Sequence, residues 1–257
     1  HVIKYRLPRN IIARMQSLEY DRSFLAARIL LDKINANMII SGAFGLFEKK
    51  TVIAVGGYDN STMGEDMELV VRLHEFSRMN RKPYKIHFAQ DAICWSQTPE
   101  KLSELGKQRK RWQRGLFQCM WGHRKMLANP RYGAVGLLSY LYFLLYELLS
   151  PFIELLGVLT MVLSVVMDML NVKFMLVFLA YYALYGILLT LTAYFSRIYT
   201  IDQRLSFREL ILAIIACFFE TTFLRFSLAF VRATAFVGYK KNKLNWGKLE
   251  RKKMNRI

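Results

Sequence analysis

The sequence predicts an α/β soluble portion followed by interfacial and transmembrane α-helices, and three observations predict it. Between residues 37 and 114 short apolar runs switch between strand-like and helix-like spacing. Near residue 133 the composition changes: charges are common before it, and after it 136–167, 174–195 and 210–237 are mostly Leu, Val, Ile, Ala, Phe, Met and Tyr. Each stretch is long enough for the about 20 apolar helical residues that a hydrocarbon core of ~30 Å requires. The net charge of +18 over 257 residues is also unevenly placed. Residues 101–131 carry nine Lys or Arg against one Glu, and 239–257 carry eight against one. Basic clusters beside apolar spans read as cytosolic segments facing anionic lipid. With no nucleic-acid module in the chain, nucleic acid is not an expected partner.

The elements follow in order. The chain opens on His1 without a signal-peptide pattern and reads as the C-terminal portion of a longer protein. Asn37 to Glu48 reads as a buried strand closing on a small-residue turn, where Ser41, Gly42 and Gly45 let the backbone approach a ligand or a packing corner. Gly56-Gly57-Tyr58-Asp59 is a turn. From Glu65 to Phe76, Leu69, Val70, Leu73 and Phe76 recur at helical spacing, which puts Glu65 and Asp66 at a helix N-terminus. Carboxylates there cap the dipole or serve chemistry. Tyr84, Ile86 and Phe88 alternate like a strand, and Pro99 marks the entry to a helix from about 100 to 114.

On that helix Gln108, Arg111 and Trp112 stand at i, i+3 and i+4 and so share one face, with Lys110 elsewhere. An amide, a guanidinium and an indole on one stripe suit a ligand wall, since Arg forks onto diphosphate oxygens. They equally suit a helix anchored among lipid headgroups. Cys94, Cys119 and Cys217 are scattered singly and form neither a disulfide framework nor a zinc pattern, which fits a reducing compartment.

The succession Ser41-Gly42, Gly56-Gly57-Tyr58, Glu65-Asp66, Arg72-Leu73-His74, Pro99 and Gln108-Arg109-Lys110-Arg111-Trp112 resembles the inverting family 2 glycosyltransferases of membranes. These include the cellulose, chitin, hyaluronan and poly-N-acetylglucosamine synthases. The resemblance spans roughly residues 17–170, and more loosely the apolar stretches and Trp246 to Arg251. A Thr-Glu-Asp motif followed by Gln-x-x-Arg-Trp is specific to that family; here Gly64 replaces the Thr and the acidic pair is intact. The resemblance implies a cytosolic nucleotide-sugar fold of the family 2, A-type α/β class, represented by its C-terminal part at 1–113. It implies Asp66 as general base beside Glu65, with Gln108, Arg109, Arg111 and Trp112 binding diphosphate and acceptor, and Ser41 and Gly42 near the acceptor sugar. It implies Mg²⁺ or Mn²⁺, with metal ligands upstream and none in this chain.

The membrane part divides into interfacial helices at 114–150, spans within 151–238 and a basic cytosolic tail at 239–257. Pro151 breaks the first apolar stretch, leaving 134–150 interfacial or partly inserted and 152–170 as a span; 174–195 is the second span, followed by a cytosolic loop from Arg197 to Arg208. Residues 210–238 are expected to break near Glu220-Thr221-Thr222 into a hairpin, because one crossing would place the basic tail outside. Glu147, Glu154, Glu220, Arg225 and Arg232 lie in or beside apolar sequence; they line a polymer channel or pair with one another.

The expected function is inverting transfer from a nucleotide-sugar, a UDP-sugar by expectation, to a growing β-linked glycan at the cell membrane. The catalytic part is cytosolic, membrane lipids surround the spans, and secretion subunits are expected partners. Single-sugar transfer to a lipid acceptor and a non-catalytic membrane scaffold are the alternatives, and this portion alone is expected to be inactive.

Overall fold

The computed structural model describes residues 10–81, 84–89, 92, 94, 96–201 and 206–239. Of the tail expected at 239–257, residues 240–257 lie outside the described residues. Asn10 opens α1 (Ile11–Arg22) by accepting from Ile12 N at 2.9 Å and Ala13 N at 3.2 Å, which satisfies two otherwise orphan donors. The helix passes through a π-turn, Ser23–Ala27, into α2 (Arg28–Lys33) and stops where Asn35 adopts a positive φ of 49°. No apolar stripe announces α1. It presents one face to apolar helices and another to a cavity, so Gln16, Ser17 and Asp21 are buried along with Met15 and Leu18.

After α3 (Lys49–Ala54) the chain reverses at Gly56 and Gly57, whose φ of 92° and 74° are left-handed values that a side chain would strain. Arg72 holds that turn by donating to Val55 O and Gly57 O, both at 2.6 Å, and to Glu68 at 2.7 Å. α4 (Glu65–Met79) buries Met67, Leu69, Val70, Val71 and Leu73, on the periodicity expected from sequence. α5 runs from Leu102 to Gly122 as one helix, eight residues past the expected end at 114, because the interfacial pattern after it keeps the same helical period.

The described residues are helical, and none of the strands expected at 37–48 and 84–88 forms. A strand needs a partner ladder for its N–H and C=O groups, and here side chains take that role. Asn35 donates to Tyr84 O at 3.1 Å and accepts from Ile86 N at 3.0 Å, while Asp32 accepts from Phe88 N at 2.7 Å. His74 bonds the Asn37 carbonyl at 2.8 Å, and burial takes its pKa down to about 4 despite that bond, with Arg78 adding to the shift.

Beyond α5, π-turns at Val135–Ser139 and Phe143–Leu148 flank the short α6 (Tyr140–Tyr142), and α7 (Ser150–Val166) carries Pro151 in its first turn. The axis bends by 46° between Val135–Leu148 and Ser150–Val166, at the expected proline. α8 (Val172–Ile201) is the one described helix long and apolar enough to cross a membrane, with a qualifying window at Val172–Leu189. The bent pair adds a second only if counted as one span; at 17 residues α7 is short for ~30 Å of hydrocarbon. The expected loop at Arg197 is helical up to Ile201.

The hairpin expected at Glu220 is also not there. α9 (Phe207–Phe219) carries a capping box from Ser206 and Glu209, and its backbone stays right-handed helical through the π-turn Glu220–Leu224 into α10 (Arg225–Ala233). The polar residue does not break the helix because Arg22 of α1 pairs with Glu220. Arg225 likewise pairs with Glu154, at 2.7 Å. These four acidic and basic side chains therefore pair between helices, which leaves Glu154, Glu220 and Arg225 on the pairing side of the two expectations. α1 packs on α8 and α9, with Met15, Leu18, Leu105, Ala213, Ala216, Cys217 and Leu224 in one cluster. A second cluster joins Met38, Met67, Val71, Cys119, Met120, Met126, Tyr132, Val135 and Tyr140.

Candidate active site

The site begins at a contact between two backbones. A Cβ on Gly115 of α5 would stand 2.7 Å from Gly64 N and 2.9 Å from Gly64 Cα, so α4 meets α5 with no side chain between them. Gln118, one turn on, accepts from Met63 N at 2.8 Å and from the Thr62 hydroxyl at 3.1 Å. Together these fix the first turn of α4, with Glu65, Asp66 and Glu68, against the helix that carries Gln108 to Trp112.

Asp66 bonds in two directions. One carboxylate oxygen accepts from Met67 N at 2.8 Å and the other from Gly42 N at 3.0 Å, which joins the helix N-terminus to the Ser41–Gly42 turn. Each oxygen keeps a further lone pair. Glu65 is held above the ordinary carboxylate pKa by burial and by the neighbouring Asp66 charge; a backbone hydrogen bond and the Arg111 charge pull against that.

On α5 the predicted stripe is divided by role. Trp112 is 40% exposed, and the Gln108 amide oxygen is buried with no hydrogen-bond partner among the described residues. Arg109 is committed inward: it pairs with Glu19 of α1 and lies 4.6 Å from the Trp112 ring centroid. Tyr20 approaches the same indole at 6.4 Å, and burial pushes its hydroxyl pKa up to about 12, with Arg109 opposing. Arg109 therefore braces the indole with charge already compensated.

All eight sequence-predicted residues, Ser41, Gly42, Glu65, Asp66, Gln108, Arg109, Arg111 and Trp112, line one cavity of about 1140 Å³, slightly above the size usual for ligand clefts. The same cavity is also lined by Tyr142, Phe143, Glu147 and Arg232. There Arg232 donates to the Gln113 amide oxygen at 2.8 Å and stands 3.5 Å from the Glu147 carboxylate, while Gln113 donates to Leu148 O at 2.9 Å. Of the five charged residues expected either to line a channel or to pair with one another, Glu147 and Arg232 line this cavity.

A family model described as glycosyl transferase family group 2 matches residues 1–238. The chain belongs to that family. Among curated relatives of this family 2 chain, poly-beta-1,6-N-acetyl-D-glucosamine synthase of Staphylococcus aureus (strain COL) is 32% identical over 120 residues, which are 47% of the chain and 26% of the relative. The synthase of the same name from Staphylococcus epidermidis is 31% identical over 120 residues, with the same 47% and 26% coverage. The family 2 chain thus matches about a quarter of the length of these relatives, and no solved structure matches it.

No three His, Cys, Asp or Glu side chains among the described residues of this family 2 chain converge to hold a metal ion. Glu65 and Asp66 come with Arg28 and Arg111 as charged neighbours, a donor set that does not fit a divalent cation. Sequence reading missed Glu19, Tyr20 and Arg28, which line the cavity from α1 and α2. The available signal was the i, i+4, i+8 spacing of Tyr20, Phe24 and Arg28 on one helix face.

Proposed function

We propose that this chain is the acceptor-side and membrane-proximal part of an inverting glycosyltransferase. It adds sugar from a nucleotide-sugar, a UDP-N-acetylhexosamine by analogy with the named relatives, to a β-linked polysaccharide. One observation carries the reading: the Asp66 carboxylate and the Arg111 side chain line the same cavity.

In this reading Asp66 takes the proton from the acceptor hydroxyl as its oxygen attacks the anomeric carbon, a contribution of about 10²–10⁴-fold for a positioned base. The Gly42 and Met67 N–H groups orient the carboxylate by occupying one lone pair on each oxygen. Attack opposite the leaving diphosphate inverts the anomeric centre in one displacement. Negative charge grows on that diphosphate, and Arg111 stabilises it, a type of interaction usually worth more than any other in such sites. Trp112, braced by Arg109 and Tyr20, supports a sugar ring, and Gln108 offers its unpartnered oxygen to a sugar hydroxyl. A divalent cation, when bound, would neutralise part of the diphosphate charge; the described residues supply no ligand set for it. Glu147 and Arg232, from the helices on the membrane side, line the cavity too, which favours a growing chain over a single transferred sugar, with α8 and its neighbours holding the assembly in the membrane.

The test uses the full-length protein in membranes with radiolabelled UDP-sugars and product sizing. Asp66→Asn should abolish transfer and retain UDP-sugar binding, and Arg111→Ala should weaken UDP binding. Near-normal turnover in Asp66→Asn would remove Asp66 as the base and this reading with it.

A further inference from the structure

Arg28 belongs to none of the motifs, yet it joins α2 to the 37–39 segment and to the cavity. The π-turn Ser23–Ala27 ends immediately before it, and such turns re-aim the residues that follow and recur at functional sites. The Arg28 carbonyl accepts from the Asn37 side chain at 3.1 Å, and its guanidinium donates to Ile39 O at 3.3 Å. One residue therefore grips the 37–39 segment through both its main chain and its side chain. Three residues on, the Gly42 N–H meets the Asp66 carboxylate at 3.0 Å. From the other side, the Phe24 ring lies 4.1 Å from the guanidinium carbon, and Phe24 is itself buried at 6% exposure. Arg28 lines the cavity with Asp66 and Glu147. Burial takes its pKa down to about 10, against the charges of both carboxylates.

We propose that Arg28 is a positioning residue for glycosyl transfer: stacked on Phe24, it holds the Ile39–Gly42 segment so that the Gly42 N–H aims the Asp66 carboxylate at the acceptor hydroxyl. The inference rests on Asp66 being the base. The role needs arginine, because a planar fork can stack on a ring and bond a carbonyl at once, whereas an ammonium on a flexible stem does neither in a fixed direction. Arg28 acts through Gly42 and Asp66, so its loss slows the chemical step and leaves donor binding at α5 intact.

The experiment measures kcat and the UDP-sugar KM of full-length Arg28→Lys in membranes, beside Phe24→Leu, which removes the ring under the guanidinium together with its contacts to Tyr20 and Phe88. Expected is a fall in kcat on the order of 10²-fold for Arg28→Lys, the scale of a 1 Å misplacement. Phe24→Leu should show a smaller fall in kcat, and both variants should keep the wild-type KM. A wild-type kcat in Arg28→Lys overturns the inference, as does a loss carried by KM with kcat intact. Asp66→Asn is run in parallel: if it is inactive while Arg28→Lys is unimpaired, only the role of Arg28 fails. If Asp66→Asn turns over normally, the base assignment fails and the role of Arg28 fails with it.

Discussion

Gly115→Ala places a methyl group where α4 now lies. The new Cβ would stand 2.7 Å from Gly64 N, 2.9 Å from Gly64 Cα and 3.0 Å from the Met63 carbonyl carbon. These are backbone atoms, so relief requires α4 to retreat by about 0.8 Å to reach ordinary contact. The retreat pulls Met63 N away from Gln118 and Asp66 away from the α5 wall. Overpacking of this kind costs about 1–3 kcal/mol, and alanine in place of glycine inside a helix returns roughly 1 kcal/mol. The net is a loss of about 0–2 kcal/mol, a few degrees in Tm for a chain of this size. Activity should fall much further, because a displacement approaching 1 Å at a reacting centre costs on the order of 10²-fold. The assay is turnover of UDP-sugar in membranes alongside thermal unfolding in detergent. Gly122→Ala on the same helix is the control: its Cβ would meet nothing within 4 Å, so its turnover should match wild type. Wild-type turnover and Tm in Gly115→Ala would refute the close backbone contact and the argument built on it.

Two further outcomes follow from charged groups outside the stripe. Burial lowers the pKa of His123, but hydrogen bonds and charge from Glu68 and Glu75 outweigh it and hold the pKa above the ordinary 6.5. The charged imidazolium therefore stabilises the fold fully below pH 6.5, and that stabilisation is lost as pH rises through the raised value. The Tm difference between wild type and His123→Gln should be largest near pH 6 and shrink on the alkaline side; a difference independent of pH would show that His123 carries no charge. Arg22→Ala leaves the Glu220 carboxylate unpaired between α1 and α9, which should cost about 3–5 kcal/mol, whereas the double change Arg22→Met with Glu220→Leu should recover most of it. Equal loss in the single and double variants, measured by denaturation in detergent, would count against the pair.

Much of the candidate site was legible in the chain because its signals are local. The helical spacing of Leu69, Val70 and Leu73 places Glu65 and Asp66 at a helix start, and the three-and-four spacing from Gln108 to Trp112 makes a stripe. Proline at 151 marks a bend because it cannot donate to the preceding turn. Strands at 37–48 and 84–88 were expected on the same local grounds and failed, since alternation describes a side-chain pattern while a ladder depends on a partner. The hairpin at Glu220 failed for a related reason: a lone carboxylate in apolar sequence looks like a break until an arginine 198 positions away pairs with it.

The amino-acid order alone set the identity and local register of the acidic turn, the Gln-x-x-Arg-Trp face and the apolar helices, since each depends on neighbours within one or two helical turns. Tertiary structure decided that Gly64 and Gly115, 51 positions apart, touch backbone to backbone. It also committed Arg109 to Glu19 and brought Arg28 to the segment that meets Asp66. No periodicity encodes those pairings, because they arise only when α1, α4 and α5 pack around one cavity and each buried charge must find its partner there.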